Sequence, residues 1–271
     1  MTTDRPVALG TGASSGIGKE AALALVAAGF DVVGTSRDTS RVTPLDGVTF
    51  LDLDVADDSS VAAAVQEVSE RFGRIGVLVN NAGAGSMGAA EETSVEQARA
   101  VFDTNVFGVM RMVTQVLPYM RAQKRGRIIN ISSVLGFMPQ PYMAVYAASK
   151  HAIEGYSESL DHEVRGHGIR SLLVQPAYTR TGFEANSAKP DIPLHAYAKQ
   201  RQTVDRVMAE AISNGDAPAV VAKAIVAAAT DARPKLRYTA GPTAGRVRTL
   251  RRLVPARAFD KQIRTINRLA G

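Results

Sequence analysis

The sequence predicts an α/β domain built on a doubly wound parallel sheet with helices on both faces. Three observations carry that expectation. Strand-like and helix-like runs alternate along almost the whole chain. The strand-like runs are short and β-branched with little polar alternation, as strands covered on both faces are. A glycine-rich turn links the first strand to the first helix, the place where this architecture receives phosphate groups.

The elements follow in order. Val7, Ala8 and Leu9 form a short apolar strand that enters the glycine turn. Residues 17–28, rich in Ala and Leu, read as a helix. Residues 31–35, with Val32 and Val33, give a second strand, and 48–53 a third. A helix over 59–72 leads to a fourth strand at 75–79. A long helical stretch covers 94–124, before a fifth strand at 127–131. A helix over 143–165 precedes a sixth strand at 169–174. A helix at 217–229 leads to a last strand at 237–240. Such alternation implies right-handed crossovers between neighbouring parallel strands. Two segments break the rhythm. Residues 181–214 form an insertion expected to act as a lid, and 242–271 form a basic, helical extension. The expected organisation is one domain over 1–241, lid included, followed by that extension.

Composition narrows the class. With 271 residues, 45% apolar and 21% charged, the chain can bury a full core. It has no cysteine, which excludes disulfides, thiolate metal sites and cysteine nucleophiles. The first residues lack the apolar run of a signal peptide, and no apolar stretch reaches spanning length. A soluble, cytoplasmic protein is expected. The net charge of +6 is uneven: ten Lys and Arg oppose only Asp260 between positions 235 and 271, so that segment is +9 and the rest is −3. Its aromatic residues are Tyr238 and Phe259 alone, too few for stacking on bases, so no nucleic-acid partner is expected. Val247, Leu250, Leu253 and Val254, then Phe259, Ile263, Ile266 and Leu269, read as an apolar stripe that packs on the body or another subunit. Peripheral contact with a membrane surface is the alternative. The four histidines show no ligand spacing, so no metal is expected.

The glycine turn is Thr11-Gly12-Ala13-Ser14-Ser15-Gly16-Ile17-Gly18. Glycines let the backbone turn tightly and approach a pyrophosphate, while the following helix offers free N–H groups. Gly12 to Gly16 also fit G-x-S-x-G, the nucleophile elbow of a serine hydrolase. That elbow lies deep in the strand order rather than after the first strand, and nothing else in the chain supports it.

Tyr146 and Lys150 form Y-x-x-x-K on one helix face. A lysine ammonium beside a phenol favours the phenolate and lowers its pKa. Ser133 lies just past the fifth strand, Asn80-Asn81-Ala82-Gly83 follows the fourth, and Asn105 lies in the long helix between them. The strand ends bring these groups to the edge of the sheet where ligands bind.

With these motifs in this order over residues 5–182, the chain resembles the short-chain dehydrogenase/reductase family. The resemblance implies a single-domain Rossmann-type fold, a homodimer or homotetramer, and hydride transfer between a nicotinamide dinucleotide and a carbonyl/alcohol carbon. It implies that Tyr146 is the general acid–base, that Lys150 lowers its pKa and holds the nicotinamide ribose, and that Ser133 stabilises the substrate oxygen. Asn105 would hold a water linking Lys150 to solvent. Gly12, Ser14, Ser15, Gly16, Ile17 and Gly18 would line the cofactor phosphates and ribose. Asp54 and Val55 would border the adenine, and Asn81, Ala82 and Gly83 would support the cofactor and central sheet. Pro176, Thr179 and Thr181 would lie near the carboxamide. Ala177 stands where the family often has glycine. A more distant likeness, through Thr35-Ser36-Arg37-Asp38, is to the branch containing hydroxysteroid and retinol dehydrogenases.

At the end of the second strand Ser36 replaces the acid that binds adenosine ribose hydroxyls, and Arg37 follows it. A guanidinium there grips a 2′-phosphate, so the expected cofactor is NADP(H). Leu135, Phe137, Tyr142, Met143, Tyr178 and Phe183 would wall a hydrophobic substrate pocket. A non-catalytic NADP(H) sensor on the same fold is the alternative, although it has no need of Asn105, Ser133, Tyr146 and Lys150 together.

Overall fold

Seven strands pair in parallel in the computed structural model, which describes residues 5–269. Residues 1–4 of the expected 1–241 domain and 270–271 of the expected extension lie outside the described residues. The strands are β1 Val7–Gly10, β2 Asp31–Ser36, β3 Val48–Asp52, β4 Val77–Asn80, β5 Gly126–Ile131, β6 Ile169–Pro176 and β7 Arg237–Ala240, in the order β3-β2-β1-β4-β5-β6-β7. The fold is the Rossmann-type doubly wound sheet that the alternation predicted. The strand order reverses between β1 and β4, and their carboxyl ends open the crevice that holds the site.

Alternation along each strand sends successive side chains to opposite faces. Leu9, Leu78, Ile128 and Leu173 enter one core with Val61, Met112 and Ile153. These three belong to helices α2 Asp58–Phe72, α4 Gly108–Ala122 and α5 Ala144–Val164. Ala8, Val79, Ile129 and Leu172 enter the other, against α1 Gly16–Ala27 and α7 Pro218–Thr230. Both faces are therefore apolar, which is why the strands show no polar alternation. Each fully buried Leu or Ile contributes about 1.5–3 kcal/mol.

The stretch expected as one helix over 94–124 is interrupted. It comprises α3 Val95–Phe102, a π-helical turn at Asp103–Phe107 and α4. The extra residue in the wider turn re-aims Asn105, which is 1% exposed. The 181–214 insertion, for which no helix was expected, contains α6 His195–Ser213, which packs through Val204, Val207 and Met208.

The basic extension forms α8 Gly241–Leu253 and α9 Ala256–Ile266. Its apolar stripe differs from the expected one. Phe259 and Ile263 are buried, but Leu250, Leu253 and Ile266 are exposed, and Asn267 takes the next inward position. Gln140 donates to Asn267 Oδ1 at 2.6 Å, so a polar bond rather than an apolar contact completes the docking. The Arg251 guanidinium lies 5.0 Å from the centroid of the Phe259 ring. Among the described residues, no helix is long and apolar enough to cross a membrane.

Candidate active site

The glycine turn is held by bonds that reach across the sheet. Thr11 Oγ1 accepts from the Asn81 and Ala82 N–H groups, each at 3.0 Å. Asn81 Nδ2 donates to the Thr11 and Gly12 carbonyls, each at 3.0 Å. Asn81 thus ties the end of β4 to the turn after β1. Gly12 and Gly16 take φ of +64° and +53°, where a side chain is strained. A Cβ on Gly18 would stand 2.2 Å from the Gly12 oxygen, so only glycine fits. Ser14 and Ser15 are exposed at the start of α1, and Ser15 caps it without a side-chain bond. The first N–H groups of α1 therefore face an open cradle, and these residues fit a pyrophosphate. Ser14 bonds to no histidine among the described residues, which removes the second group that a hydrolase elbow needs.

At the other end of the cradle, Arg37 is exposed at the end of β2 and forms no ion pair among the described residues. Asp38, the next residue, is engaged elsewhere: it accepts from the Ser40 N–H at 3.1 Å and pairs with Arg41 at 2.9 Å. Asp54 Oδ1 accepts from the Ala56 N–H at 2.9 Å, shaping the turn after β3. The Val55 side chain does not point outward. It is buried in the core, close enough to Gly108 that a Cβ there would meet it at 2.9 Å. Only the Val55 backbone is left to border an adenine.

Ser133, Tyr146 and Lys150 converge past the end of β5. Ser133 Oγ accepts from the Leu135 N–H at 3.1 Å, which starts a short 3-10 turn and fixes the hydroxyl. Lys150 is buried and donates to the Ile131 carbonyl at 2.8 Å. Its Nζ lies 5.6 Å from the centroid of the Tyr146 ring. Burial pushes the Lys150 pKa down to about 8, with the Glu154 charge acting the other way. The Tyr146 phenol is pushed up, not down. Burial is the main cause, the Glu184 charge adds to it, and the Ser133 hydrogen bond opposes it. The expected lowering by Lys150 is not among the influences on the phenol, and burial sets the direction.

Asn105 acts as a buried bracket. Its Oδ1 accepts from the Ala84 N–H at 2.7 Å, and its Nδ2 donates to the Ala84 carbonyl at 2.9 Å and to Ser149 Oγ at 3.0 Å. Both side-chain donors are spent, so a water would meet only acceptor atoms of this residue. The bracket sets the segment after Gly83 against the helix that carries Tyr146 and Lys150.

Beyond the sixth strand, Pro176 closes β6 and Thr181 lies against Gly16, with its Cγ2 3.3 Å from where a Cβ would stand. Thr179 is turned inward instead. It is 6% exposed, and its hydroxyl donates to the Ala177 carbonyl at 3.1 Å. Of the two threonines, Thr181 is the one at the cradle. Leu135, Phe137, Tyr142, Met143, Tyr178 and Phe183 gather with Ala177 around Tyr146 in one apolar cluster. The Phe183 ring is 5.5 Å from that of Tyr146. Tyr142 holds φ of +63°, an uncommon backbone state for an aromatic residue, and its carbonyl accepts from the Gly88 N–H.

Sequence reasoning gave no individual role to several residues that build this site. Glu154, one helical turn from Lys150, accepts from Gln175 at 2.8 Å and from Arg237 at 2.9 Å. Asn80 donates to Asn130 Oδ1, and Asn130 to Ser157 Oγ, joining β4, β5 and α5. Glu92 is fully buried and accepts from the Leu194 and Ala89 N–H groups and from Arg201, which clasps the lid to the body. Burial opposes ionisation of Glu92, but these donors hold its pKa below the usual value. Among the described residues, no group of three or more metal-ligating side chains occurs.

Comparison with known proteins agrees with this geometry. A family model described as "short chain dehydrogenase" matches residues 6–191. The chain is 41% identical over 234 residues to a 3-ketodihydrosphingosine reductase from Bacteroides thetaiotaomicron, covering 86% of each. It is 36% identical over 249 residues to human retinol dehydrogenase 8, covering 84% of this chain and 78% of that one. A crystal structure of a short-chain dehydrogenase from Streptomyces avermitilis superposes with a TM-score of 0.85, at 35% identity and 99% coverage of both chains. Two further solved structures hold cofactor. One is a short-chain dehydrogenase/reductase from Burkholderia phymatum in complex with NAD, with TM-score 0.77, 28% identity and 92% and 93% coverage. The other is ElxO with NADP bound, with TM-score 0.71, 26% identity and 87% and 97% coverage. Neighbours of this fold thus bind either nicotinamide dinucleotide.

Proposed function

The chain belongs to the short-chain dehydrogenase/reductase family, and from that premise we propose that it is an NADP(H)-dependent oxidoreductase acting on a carbonyl/alcohol carbon of a hydrophobic small molecule. The observation that carries the proposal is the buried Tyr146 phenol, which stands with Ser133 and Lys150 past the end of β5 and packs in an apolar cluster. NADP(H), when bound, supplies or accepts the hydride.

The protein's own groups do the rest. The glycine cradle and the start of α1 hold the pyrophosphate, and Arg37 takes the 2′-phosphate. The unpaired guanidinium and the prior engagement of Asp38 by Arg41 favour the phosphorylated cofactor. Ser133 donates to the substrate oxygen and stabilises negative charge as it develops there. Tyr146 gives its proton to that oxygen during reduction and takes it back during oxidation. A phenol pushed up by burial is protonated at neutral pH, which suits an acid. Lys150 opposes that push when the site fills and passes protons outward. The apolar walls exclude water. The names of the relatives, a keto-compound reductase and a retinol dehydrogenase, support this chemistry. The same reading carries a homo-oligomer in the cytoplasm, which light scattering and cell fractionation check.

The test is NADPH oxidation, followed by absorbance, against a panel of apolar ketones and aldehydes. Tyr146→Phe should lower turnover by about 10²–10⁴-fold while NADPH affinity is retained. Turnover that survives the substitution would refute Tyr146 as the acid–base. Tight NADPH binding without turnover of any carbonyl would favour the sensor instead.

A further inference from the structure

Glu184 stands one residue beyond Phe183, whose ring packs on Tyr146. The surrounding segment is fixed at both ends. Thr181 lies against Gly16, and Ala188 donates its N–H to the Gly85 carbonyl at 2.9 Å. A Cβ on Gly85 would meet Phe183 at 3.0 Å, so this stretch lies directly over the 83–88 loop. Glu184 is half-buried, and its Oε2 is shielded from solvent there with no hydrogen-bond partner among the described residues. No Lys, Arg or His among the described residues forms an ion pair with it. Its own backbone N–H is the one group that favours its charge, and burial raises its pKa. Glu184 adjoins Phe183, whose ring centroid is 5.5 Å from that of Tyr146, and its charge raises the pKa of the Tyr146 and Tyr178 phenols.

A shielded carboxylate oxygen without a donor is costly unless a ligand supplies the partner. The buried carboxylates among the described residues each have a basic partner: Glu92 has Arg201, Glu154 has Arg237, and Asp161 has Arg170. The faces of Tyr146, Tyr178 and Phe183 suit a cation as well. A neutral lipid-like carbonyl compound would leave the carboxylate unpaired.

We propose that Glu184 forms a specificity subsite for a protonated amine carried near the carbonyl or hydroxyl carbon of the substrate. The inference rests on the oxidoreductase reading for its reaction but not for its binding test. The amine N–H donates to Glu184 Oε2 while the carbonyl oxygen meets Ser133 and Tyr146. The neutral analogue that lacks the amine binds the same apolar walls without that bond.

The experiment uses two matched pairs. The ketones 1-amino-4-phenylbutan-2-one and 4-phenylbutan-2-one are compared in turnover with NADPH. Their alcohols are compared in calorimetric binding to the NADPH complex, which cannot oxidise them. Wild type should favour the amino member of each pair by about tenfold or more in KM and in Kd. Glu184→Gln, of the same shape, should bring both ratios close to one. Equal affinity of the two alcohols in wild type, binding of neither, or a preference that survives Glu184→Gln would overturn the subsite. Discrimination in binding with no turnover of either ketone would support Glu184 and count against the oxidoreductase reading. Turnover of both ketones without discrimination would do the reverse.

Discussion

Thr11→Val isolates the bond that joins the glycine turn to the end of β4. Valine keeps the shape of threonine but removes the hydroxyl that accepts from the Asn81 and Ala82 N–H groups, each at 3.0 Å. The contact to the Val79 carbonyl is long at 3.4 Å and contributes little. Two half-buried donors then lack a partner, at about 1–3 kcal/mol each. Partial access to water favours the lower half of that range, so the loss should be about 2–4 kcal/mol. A folded domain has about 5–15 kcal/mol to lose. Urea denaturation of Thr11→Val beside Thr11→Ser measures it. Serine keeps the acceptor and gives up one methyl group, so it should cost about 1 kcal/mol. NADPH affinity should fall in the valine variant, because Asn81 holds the Gly12 carbonyl and would lose its anchor. A valine variant within about 0.5 kcal/mol of wild type, or a serine variant as damaged as valine, would refute the argument.

Three further outcomes follow from the site and its frame. Arg37→Ala should lower the preference for NADPH over NADH by about 10–100-fold in kcat/KM, the value of charge-assisted bonds to a phosphate; an unchanged ratio would remove Arg37 from cofactor choice. The Lys150 pKa is depressed by burial to about 8, so between pH 8 and the ordinary lysine value the unfolded chain binds more protons. Stability of wild type relative to Lys150→Met should therefore rise as pH climbs through that window, and a flat or falling difference in paired melts would contradict the burial. Asp161 is 1% exposed and gripped by Arg165, Arg170 and the Ser171 N–H. These donors outweigh desolvation and keep its pKa below the usual value, so its contribution is present above the unfolded pKa and lost as pH falls through the folded one. Asp161→Asn should cost about 3–5 kcal/mol at neutral pH, with a smaller difference in acid, and a loss below about 1 kcal/mol in denaturant titration would show the pair to be dispensable.

The sequence by itself determined the sheet, its parallel sense and the place of its crevice. Those features live in contiguous runs: a β-branched strand, a glycine turn, a helix of known period. Gly12, Gly16 and Gly18 were legible because backbone conformation is a local property, and Tyr146 and Lys150 because i and i+4 share a face on any helix. The π-turn at Asp103–Phe107 was not legible, since one extra residue scarcely changes the apolar pattern of 94–124. Val55 and Thr179 could be placed near the crevice by position, but whether each side chain faced it or the core depended on packing against Gly108 and on the Ala177 carbonyl. Only the tertiary structure decided which charges meet. Arg237 reaches Glu154 from 83 residues away, Arg201 reaches Glu92 from 109, and Glu184 Oε2 is left without a hydrogen-bond partner among the described residues. Electrostatic energy depends on distance and burial in three dimensions. For that reason the direction in which Tyr146 titrates, and the group that waits beside it, came from the fold.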